Sequence, residues 1–383
     1  MRREKLAIVH NTIAPYRHPL FESLSQDLDL MVYYCSVKHS SRKWDLWPRK
    51  YDYEYKILPR IPLRTPLGYQ SLNLSIIKEL ILNKPHVLIL SSYTDPTTWL
   101  ALAIAKLLKI PLIYWTEGIK EPQSILGKIS RPLRTLFIKK SGSIIVPGRL
   151  SKNYVFSLEA NAEKVFIAPN VVDNELFIKM SEEFRPRKDE LKSQLGLKGK
   201  IIVLYVGQLI KRKGVEYLLH AYRKLEQEQD NIALLVVGSG PSEYYLKELA
   251  NALKIKNVQF ISSGLNLRDL AKFFSTADIF VLPTLEDLWG FVINEAMACG
   301  LPIVATSASQ AAHEMIHSGE NGYLVKEASS EELYYAIKKI VTNSELRKQM
   351  GEKSREIIKR EFEVSQMLQG FLLAIKYGLA TKT

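Results

Sequence analysis

Short apolar runs rich in β-branched residues alternate with longer stretches of helical periodicity along the whole chain. Runs of this kind are typical of strands that are covered on both faces in parallel sheets. In the first half the predicted strands are 6–10, 30–35, 87–91, 112–115, 144–147 and 165–168. In the second half they are 201–206, 233–237, 258–261, 279–282 and 303–305, with a weaker candidate at 323–325. Because the alternation occurs twice, the pattern predicts two doubly wound, Rossmann-like α/β domains.

The charged segment 179–200 separates the two halves and sets the expected domain boundary. We expect an N-terminal domain over residues 1–180, a second domain over 181–360, and a C-terminal helix over 361–383 that returns to the first domain. Open parallel sheets bind ligands outside the carboxyl ends of their strands. Two such domains facing each other would form an interdomain cleft, with a nucleotide on one side and an acceptor on the other.

Composition narrows the class of protein. The chain has 383 residues, of which 46% are hydrophobic and 24% charged, as in ordinary globular proteins. The two cysteines, Cys35 and Cys299, exclude a disulfide framework and favour a reducing compartment. We find no signal-peptide pattern before the strand at 6–10 and no run of about 18 apolar residues, so we expect a cytoplasmic protein without a membrane span.

Part of the net charge of +13 falls in the segment 128–152, which lies in a stretch without acids from Pro122 to Leu158. Its basic residues are Lys128, Arg131, Arg134, Lys139, Lys140, Arg149 and Lys152, and the apolar residues among them or just before them are Ile125, Leu126, Ile129, Leu133, Leu136, Phe137 and Ile138. The pattern is typical of a basic amphipathic helix on an anionic membrane surface, and also of a solvated helix that packs on its own domain. Nucleic acid binding is disfavoured, because no zinc spacing or RNP-type motif is present.

The most informative chemistry lies between Pro283 and Thr306, where Asp287 and Glu295 are eight positions apart. A helix is predicted to open near Gly290, and helix N-termini favour phosphate groups through their unpaired N–H groups and dipole. The two acids would flank that phosphate and suit hydroxyl groups or an amine rather than the phosphate itself, so the arrangement predicts a sugar nucleotide.

A second loop, Gly207–Gly214, follows the first strand of the second half and carries Gln208, Lys211, Arg212 and Lys213. Glycines allow a close backbone approach to a ligand, and the basic side chains could neutralise a diphosphate. A solvated turn is the alternative. The Gly238–Gly240 turn after the next strand fails the G-x-G-x-x-G pattern at Glu243, so we interpret it as a close-approach turn beside the same ligand.

Two motifs suggest metals but have simpler explanations. His313 and His317 form a literal H-E-x-x-H, yet the predicted helix is brief and no third ligand follows. Asp27 and Asp29 match a D-x-D spacing but fall where a helix passes into a strand. We therefore expect no metal site.

In the first half, loops after the first and fourth predicted strands supply the candidate acceptor-side residues, which are Asn11, Tyr16, Arg17 and Glu117. Glu117 could position an acceptor hydroxyl or be an ordinary surface acid. The aromatic and basic segment 44–64, which includes Trp44 and Trp47, is predicted to be a long irregular loop that grips a sugar or lipid head group, or a capped excursion.

Residues 286–306 resemble the signature of the retaining, nucleotide-sugar-dependent glycosyltransferases of family 4, within glycosyl transferases group 1, which have the two-domain GT-B fold. The resemblance extends over nearly the whole chain. The further matching segments are 15–17 with 19–21, 169–173 with Phe177, 207–214, 237–241, 277–283, and Glu314 with 319–325. Because Glu314 falls in one of these motifs, the resemblance also argues against a zinc site.

The resemblance implies a role for each donor-side residue. The family's two acids fall on Asp287, which would contact the donor sugar, and Glu295, which would bind the nucleotide ribose. The phosphate-binding lysine falls on Lys213, and the amides of Phe291 and Val292 would hold the distal phosphate. The family's usual first Glu is Asp287 here.

Two further departures concern basic and acceptor-side positions. The family's arginine is replaced by Gln208, for which Arg212 is a candidate substitute, and Glu117 stands where many members carry histidine.

The expected function is that of a retaining, metal-independent hexosyltransferase that uses a UDP- or GDP-sugar and no cofactor. The acceptor would be a glycan or lipid-linked glycan in cell-surface polysaccharide or glycolipid synthesis, with possible peripheral contact to the inner face of the membrane. The alternatives are a sugar-nucleotide epimerase on the same fold, a non-catalytic nucleotide- or glycan-binding protein and, more remotely, a zinc hydrolase.

Overall fold

The computed structural model describes residues 3–37, 51–65, 68–121, 125–262 and 266–381. The chain forms two compact units, the first comprising Met1–Asn170 with Val364–Thr383 and the second Val171–Glu363. The expected boundary at 180/181 falls inside a helix of the second unit, Asn174–Phe184. That helix is held there by apolar packing, since the rings of Phe177 and Phe274 lie 6.2 Å apart.

The first unit is built on a seven-stranded parallel sheet of order β3-β2-β1-β6-β7-β8-β9, beside a separate antiparallel pair, β4-β5. The strands are β1 Lys5–His10, β2 Asp29–Tyr34, β3 Glu54–Ile57, β4 Ile61–Thr65, β5 Gly68–Leu72, β6 Val87–Leu90, β7 Leu112–Trp115, β8 Ser143–Val146 and β9 Val165–Ile167. The helices are His18–Asp27, Ser75–Leu82, Pro96–Leu107, Ile125–Ile129, Arg131–Lys140, Arg149–Ser157 and Val364–Ala380.

The final helix, Val364–Ala380, completes the cover of this first sheet. Phe371 packs edge-on against Trp115 at the end of β7, with ring centroids 4.9 Å apart. Ser143 donates its hydroxyl to the carbonyl of Ala374 over 2.9 Å, and Gly370 lies directly against the carbonyl of Ile167. The chain therefore returns to the first unit for its last element.

The second unit has a six-stranded parallel sheet of order β12-β11-β10-β13-β14-β15. The strands are β10 Ile201–Val206, β11 Ile232–Val237, β12 Val258–Ile261, β13 Ile279–Leu282, β14 Ile303–Thr306 and β15 Gly322–Val325. The helices are Asn174–Phe184, Lys188–Gln194, Val215–Glu226, Glu243–Ala252, Leu267–Thr276, Phe291–Ala298, Gln310–Met315, Ser330–Val341 and Ser344–Glu361.

Every strand predicted from the apolar runs is confirmed to within one residue at each end. The central strands are buried along their length, β11 and β13 without exception, as expected for strands covered on both faces. The prediction of two doubly wound α/β domains is therefore correct.

The prediction of an irregular segment at 44–64 is wrong where the structure describes it. Residues 54–57 form the edge strand β3, and 61–65 form one arm of the β4-β5 pair. The reason is that β3 is an exposed edge strand, so its sequence Glu-Tyr-Lys-Ile lacks the apolar run that marks a buried strand. Trp44 and Trp47 lie outside the described residues.

Candidate active site

In the second unit, three of the predicted site loops lie at one edge of the sheet. They follow β11, β10 and β13, which are neighbours in the sheet and run parallel, so their carboxyl ends meet. The three loops are 207–214, 238–241 and 283–290. This is the edge where open α/β sheets bind ligands.

Backbone hydrogen bonds connect the first two loops. Leu209 donates its N–H to the carbonyl of Ser239 over 2.9 Å, and Ser242 donates back to the carbonyl of Leu209 over 2.9 Å. A Cβ atom at Gly238 would overlap the carbonyl oxygen of Gly207, so only glycine permits this approach. Gly207, Gln208, Gly238 and Gly240 thus lie together, with the backbones of the two loops in close contact.

The basic loop is in turn tied to the loop that carries Asp287. Lys211–Lys213 form a single 3-10 turn, and Lys213 makes an ion pair with Asp287. Both side chains are largely enclosed, at 12% and 15% exposure. The structure therefore brings together two residues that the sequence places 74 positions apart.

Arg212 contributes to the same junction. Its Nη1 donates to the carbonyl of Glu286 over 2.9 Å, while its own carbonyl accepts from the N–H of Leu285 over 2.8 Å. In this arrangement Arg212 holds the acid loop in place. Its predicted role as a substitute for the family's arginine stays a prediction.

Gly290 sets the geometry at the start of the helix Phe291–Ala298. Its φ of 103° lies in the left-handed region, and a Cβ there would stand 2.7 Å from Ser309 Oγ and 3.8 Å from Asp287 Oδ2. Asp287 is therefore held beside the helix N-terminus, whose first turn includes the N–H groups of Phe291 and Val292. A phosphate bound there would meet backbone donors with Lys213 close by.

Glu295 lies just over one helical turn further along, on the same helix. Desolvation by the surrounding protein raises the pKa of Glu295 to about 8, although its side chain keeps partial contact with solvent. Loss of water around an acid without a compensating cation favours its neutral form. Such a group is suited to exchange hydrogen bonds with hydroxyls of a ligand.

The H-E-x-x-H motif does not form the helical pair that a zinc site needs. The helix Gln310–Met315 ends before His317, and His313 Nε2 lies 2.8 Å from the carbonyl oxygen of Ser307. In the ranges that the structure describes, no group of three or more His, Cys, Asp or Glu residues is placed to hold a metal ion.

In the first unit, three loops at the carboxyl edge of the sheet converge on Glu117. Its Oε1 accepts from Asn170 Nδ2 over 2.9 Å and forms an ion pair with Arg17. Arg17 Nη1 also donates to Asn170 Oδ1 over 2.7 Å. Arg17 and Asn170 are buried, whereas the Glu117 side chain is 26% exposed.

Two aromatic rings pack against the Arg17 guanidinium. Its central carbon lies 4.3 Å from the centroid of the Trp115 ring and 4.9 Å from that of Tyr16. Asn11 lies exposed directly after β1, and none of the described contacts joins it to this cluster. Asn170 was not among the predicted site residues, although the segment 169–173 is one of the matching motifs.

The basic segment 128–152 forms parts of three helices rather than one amphipathic helix. Arg134 is buried and paired with Glu121, and Phe137 and Ile138 face the core. Exposed side chains on the two helices Ile125–Ile129 and Arg131–Lys140 include the apolar Ile129, Leu133 and Leu136 and the basic Lys128 and Lys140. Part of the segment thus packs on its own domain while other apolar and basic side chains are in solvent.

Parts of the chain are similar in sequence to known proteins. Residues 187–357 match the family model described as "Glycosyl transferases group 1". An uncharacterized glycosyltransferase of Haemophilus influenzae is 33% identical over 168 residues, which are 44% of this chain and 46% of that protein. An uncharacterized glycosyltransferase of Methanocaldococcus jannaschii is 25% identical over 367 residues, 94% of this chain and 83% of that protein. The match to the Haemophilus protein thus spans about half of that relative's length.

Solved structures share the fold. The crystal structure of Anabaena HepE in complex with UDP superposes with a TM-score of 0.78 at 17% identity, covering 97% of this chain and 99% of that one. The chain therefore has the fold of two Rossmann-like domains with parallel sheets that such glycosyltransferases show. Of the helices that the structure describes, none combines the length and apolar character needed to cross a membrane.

Proposed function

We propose that this protein is a retaining glycosyltransferase of family 4 that moves a hexose-type sugar from a nucleotide-diphosphate sugar to a glycan or lipid-linked acceptor. The observation that carries the proposal is the contact of Lys213 with Asp287 beside the N-terminus of the helix Phe291–Ala298. The family-model match, residues 187–357, includes every one of these residues.

The donor would lie along the edge formed by the three loops of the second unit. Lys213 and the helix N-terminus suit the diphosphate, Asp287 the hydroxyls of the sugar, and Glu295 the ribose. The glycine surface of 207–208 and 238–240 allows the backbone to approach the nucleotide closely. UDP or GDP is the nucleotide we propose.

Catalysis would rest on stabilising the diphosphate as it departs. Negative charge develops on the leaving oxygen in the transition state, and a preorganised ammonium group and aligned N–H groups lower its energy. We propose that Lys213 supplies this stabilisation without a metal ion, and that the acceptor attacks from the face of the leaving group, which retains the anomeric configuration.

The test is donor-dependent transfer by variants that leave the fold intact. Lys213→Ala and Glu295→Ala are each expected to lower turnover at least a hundredfold, which is the usual scale for losing one transition-state or ribose contact. Lys198→Ala is the control, because Lys198 is an exposed lysine of the second unit that lies outside the three site loops. Normal turnover in either site variant would mean that the site is misplaced.

Product analysis separates this function from its rivals. Transfer to an acceptor with retained configuration supports the proposal. Release of an epimerised nucleotide sugar without any acceptor would identify an epimerase, and nucleotide binding without turnover would identify a binding protein.

We further propose that the enzyme works at the cytoplasmic face of an anionic membrane. Lys128 and Ile129 on one helix, and Leu133, Leu136 and Lys140 on the next, are exposed, and this combination of apolar and basic side chains suits an anionic bilayer surface. Here Leu133 is 49% exposed and Ile129 68%.

Flotation with vesicles of neutral lipid alone, or of neutral with anionic phosphatidylglycerol, tests this membrane contact. The double variant Leu133→Gln with Leu136→Gln is expected to lose binding. Leu373→Gln, a change at the same 49% exposure elsewhere in the first unit, is expected to keep it. Absence of wild-type binding to both vesicles would refute the membrane contact.

A further inference from the structure

The two oxygens of the Glu117 carboxylate have different surroundings in the first unit. Both hydrogen-bond donors, on Arg17 and Asn170, contact Oε1. Among the residues that the structure describes, none donates a hydrogen bond to Oε2, and the side chain keeps 26% of its surface exposed. One oxygen is anchored and the other faces solvent at the ligand-binding edge of the sheet.

The anchoring is rigid because each donor is itself fixed. Arg17 is stacked on the ring of Trp115 at 4.3 Å and bridges to Asn170 at 2.7 Å. Asn170 lies in the loop that follows β9, and both Arg17 and Asn170 are buried. Arg17, Glu117 and Asn170 lie on loops after three different strands. The position of the carboxylate is therefore fixed by the sheet that carries these loops rather than by its own loop alone.

The open oxygen can only accept hydrogen bonds while the carboxylate is ionised. The positive charge of Arg17 is already used by Glu117 and is buried, so it does not reach out to a ligand anion. A phosphate or carboxylate placed against Oε2 would be repelled, whereas a hydroxyl would donate to it. The chemistry of this position therefore selects neutral, hydroxyl-bearing ligands.

Resting on the proposed glycosyltransferase function, we propose that Glu117 binds a hydroxyl of the acceptor sugar and excludes acceptors with an anionic group beside that hydroxyl. Arg17 and Asn170 are positioning residues that hold Glu117 for this contact. In the transfer itself the bond from the anomeric carbon to the diphosphate breaks and the bond to the acceptor oxygen forms. The acceptor's proton leaves with the diphosphate, so Glu117 recognises the acceptor and is not its base.

The experiment compares two acceptors that differ by one charge, octyl glucoside and octyl glucuronide, with UDP-glucose and GDP-mannose as donors. Wild-type protein is expected to use the neutral glycoside at least tenfold better in kcat/KM. Glu117→Gln should raise the KM for the neutral acceptor roughly tenfold or more, because the amide offers a donor as well as an acceptor. The Glu117→Gln variant should also have a smaller ratio of kcat/KM for the neutral acceptor to kcat/KM for the anionic acceptor.

Two further variants separate positioning from folding. Asn170→Ala and Arg17→Lys are expected to raise the acceptor KM severalfold while the UDP affinity of the second unit stays within twofold. Glu79→Gln, at a carboxylate of the same unit that is paired with Lys56, serves as the control and should change neither quantity. Thermal unfolding of each variant shows whether the first unit is still folded.

Several outcomes would overturn the inference. These are a wild-type preference for the glucuronide, use of neither acceptor despite UDP or GDP binding, or a Glu117→Gln variant whose acceptor KM and preference match the wild type. Failure of the wild type to bind UDP or GDP would instead contradict the proposed function, so the two failures are distinguishable.

Discussion

Replacing Glu295 by glutamine should stabilise the protein at alkaline pH while abolishing donor binding. The pKa of Glu295 is raised from its ordinary 4.5 to about 8 by desolvation. Above pH 4.5 the unfolded chain releases this proton readily, whereas the folded protein keeps it until about pH 8. Glutamine removes that difference and keeps the size and shape of the side chain.

The sign and size follow from proton linkage. Between pH 4.5 and 8 the folded state binds more protons at this position than the unfolded state, so stability falls as pH rises and levels off above pH 8. Each pKa unit corresponds to about 1.4 kcal/mol, which sets a ceiling of about 5 kcal/mol. Because Glu295 keeps partial contact with solvent, we expect a measured difference in unfolding free energy on the order of 2 kcal/mol.

Urea unfolding at pH 5, 7 and 9 measures this effect, with fluorescence and circular dichroism compared to test two-state behaviour of the second unit. Glu295→Gln should match the wild type at pH 5 and exceed its stability increasingly at pH 7 and 9. Glu286→Gln, an exposed acid in the preceding loop, should leave the curves unchanged. A Glu295→Gln variant less stable than the wild type at pH 9 would refute the reasoning.

Three further predictions concern other parts of the two units. Gly290→Ala should destabilise the second unit by about 1–3 kcal/mol in urea unfolding, because φ of 103° strains any side chain. Asp287→Asn should tighten binding of free UDP severalfold in calorimetry while lowering sugar transfer by on the order of tenfold, because it removes the negative charge beside Lys213 and weakens the proposed sugar contact; unchanged UDP affinity would contradict this. Glu121→Gln should lower the thermal stability of the first unit, because it leaves the buried Arg134 guanidinium without its counter-charge.

Apolar patterning predicted the two sheets well because buried parallel strands carry their signal in consecutive residues. The strands β10 and β13 read Ile-Ile-Val-Leu-Tyr-Val and Ile-Phe-Val-Leu, and each was predicted with its actual ends. The edge strand β3 was missed because an exposed strand carries no such run, and the β4-β5 pair because its sequences Ile-Pro-Leu-Arg-Thr and Gly-Tyr-Gln-Ser-Leu contain none. The domain boundary was placed by charge, whereas the helix Asn174–Phe184 is assigned by its apolar face.

For the candidate site, too, single residues could be predicted from local motifs, whereas contacts between distant residues depend on the fold. Lys213, Asp287 and Gly290 could be selected from the sequence because each belongs to a motif of consecutive residues. Their contact could be expected only from the sheet order, since 74 positions separate Lys213 from Asp287. Asn170 could not be joined to Arg17 by spacing, because 153 positions lie between them and only the fold brings them together.

In the proposed donor site, the contact between Lys213 and Asp287 would favour the complete donor over the free nucleotide. Taken alone, an enclosed lysine would be costly to bury, and the neighbouring acid offsets that cost. In the proposed reaction an incoming diphosphate offers Lys213 a second partner with more charge, and a sugar hydroxyl offers Asp287 a new donor. Replacing the contact between Lys213 and Asp287 by these two ligand contacts is favourable only when the phosphate and the sugar belong to the same molecule. A free nucleotide satisfies the lysine but leaves the acid unpaired, so the pair favours the intact donor over its own product.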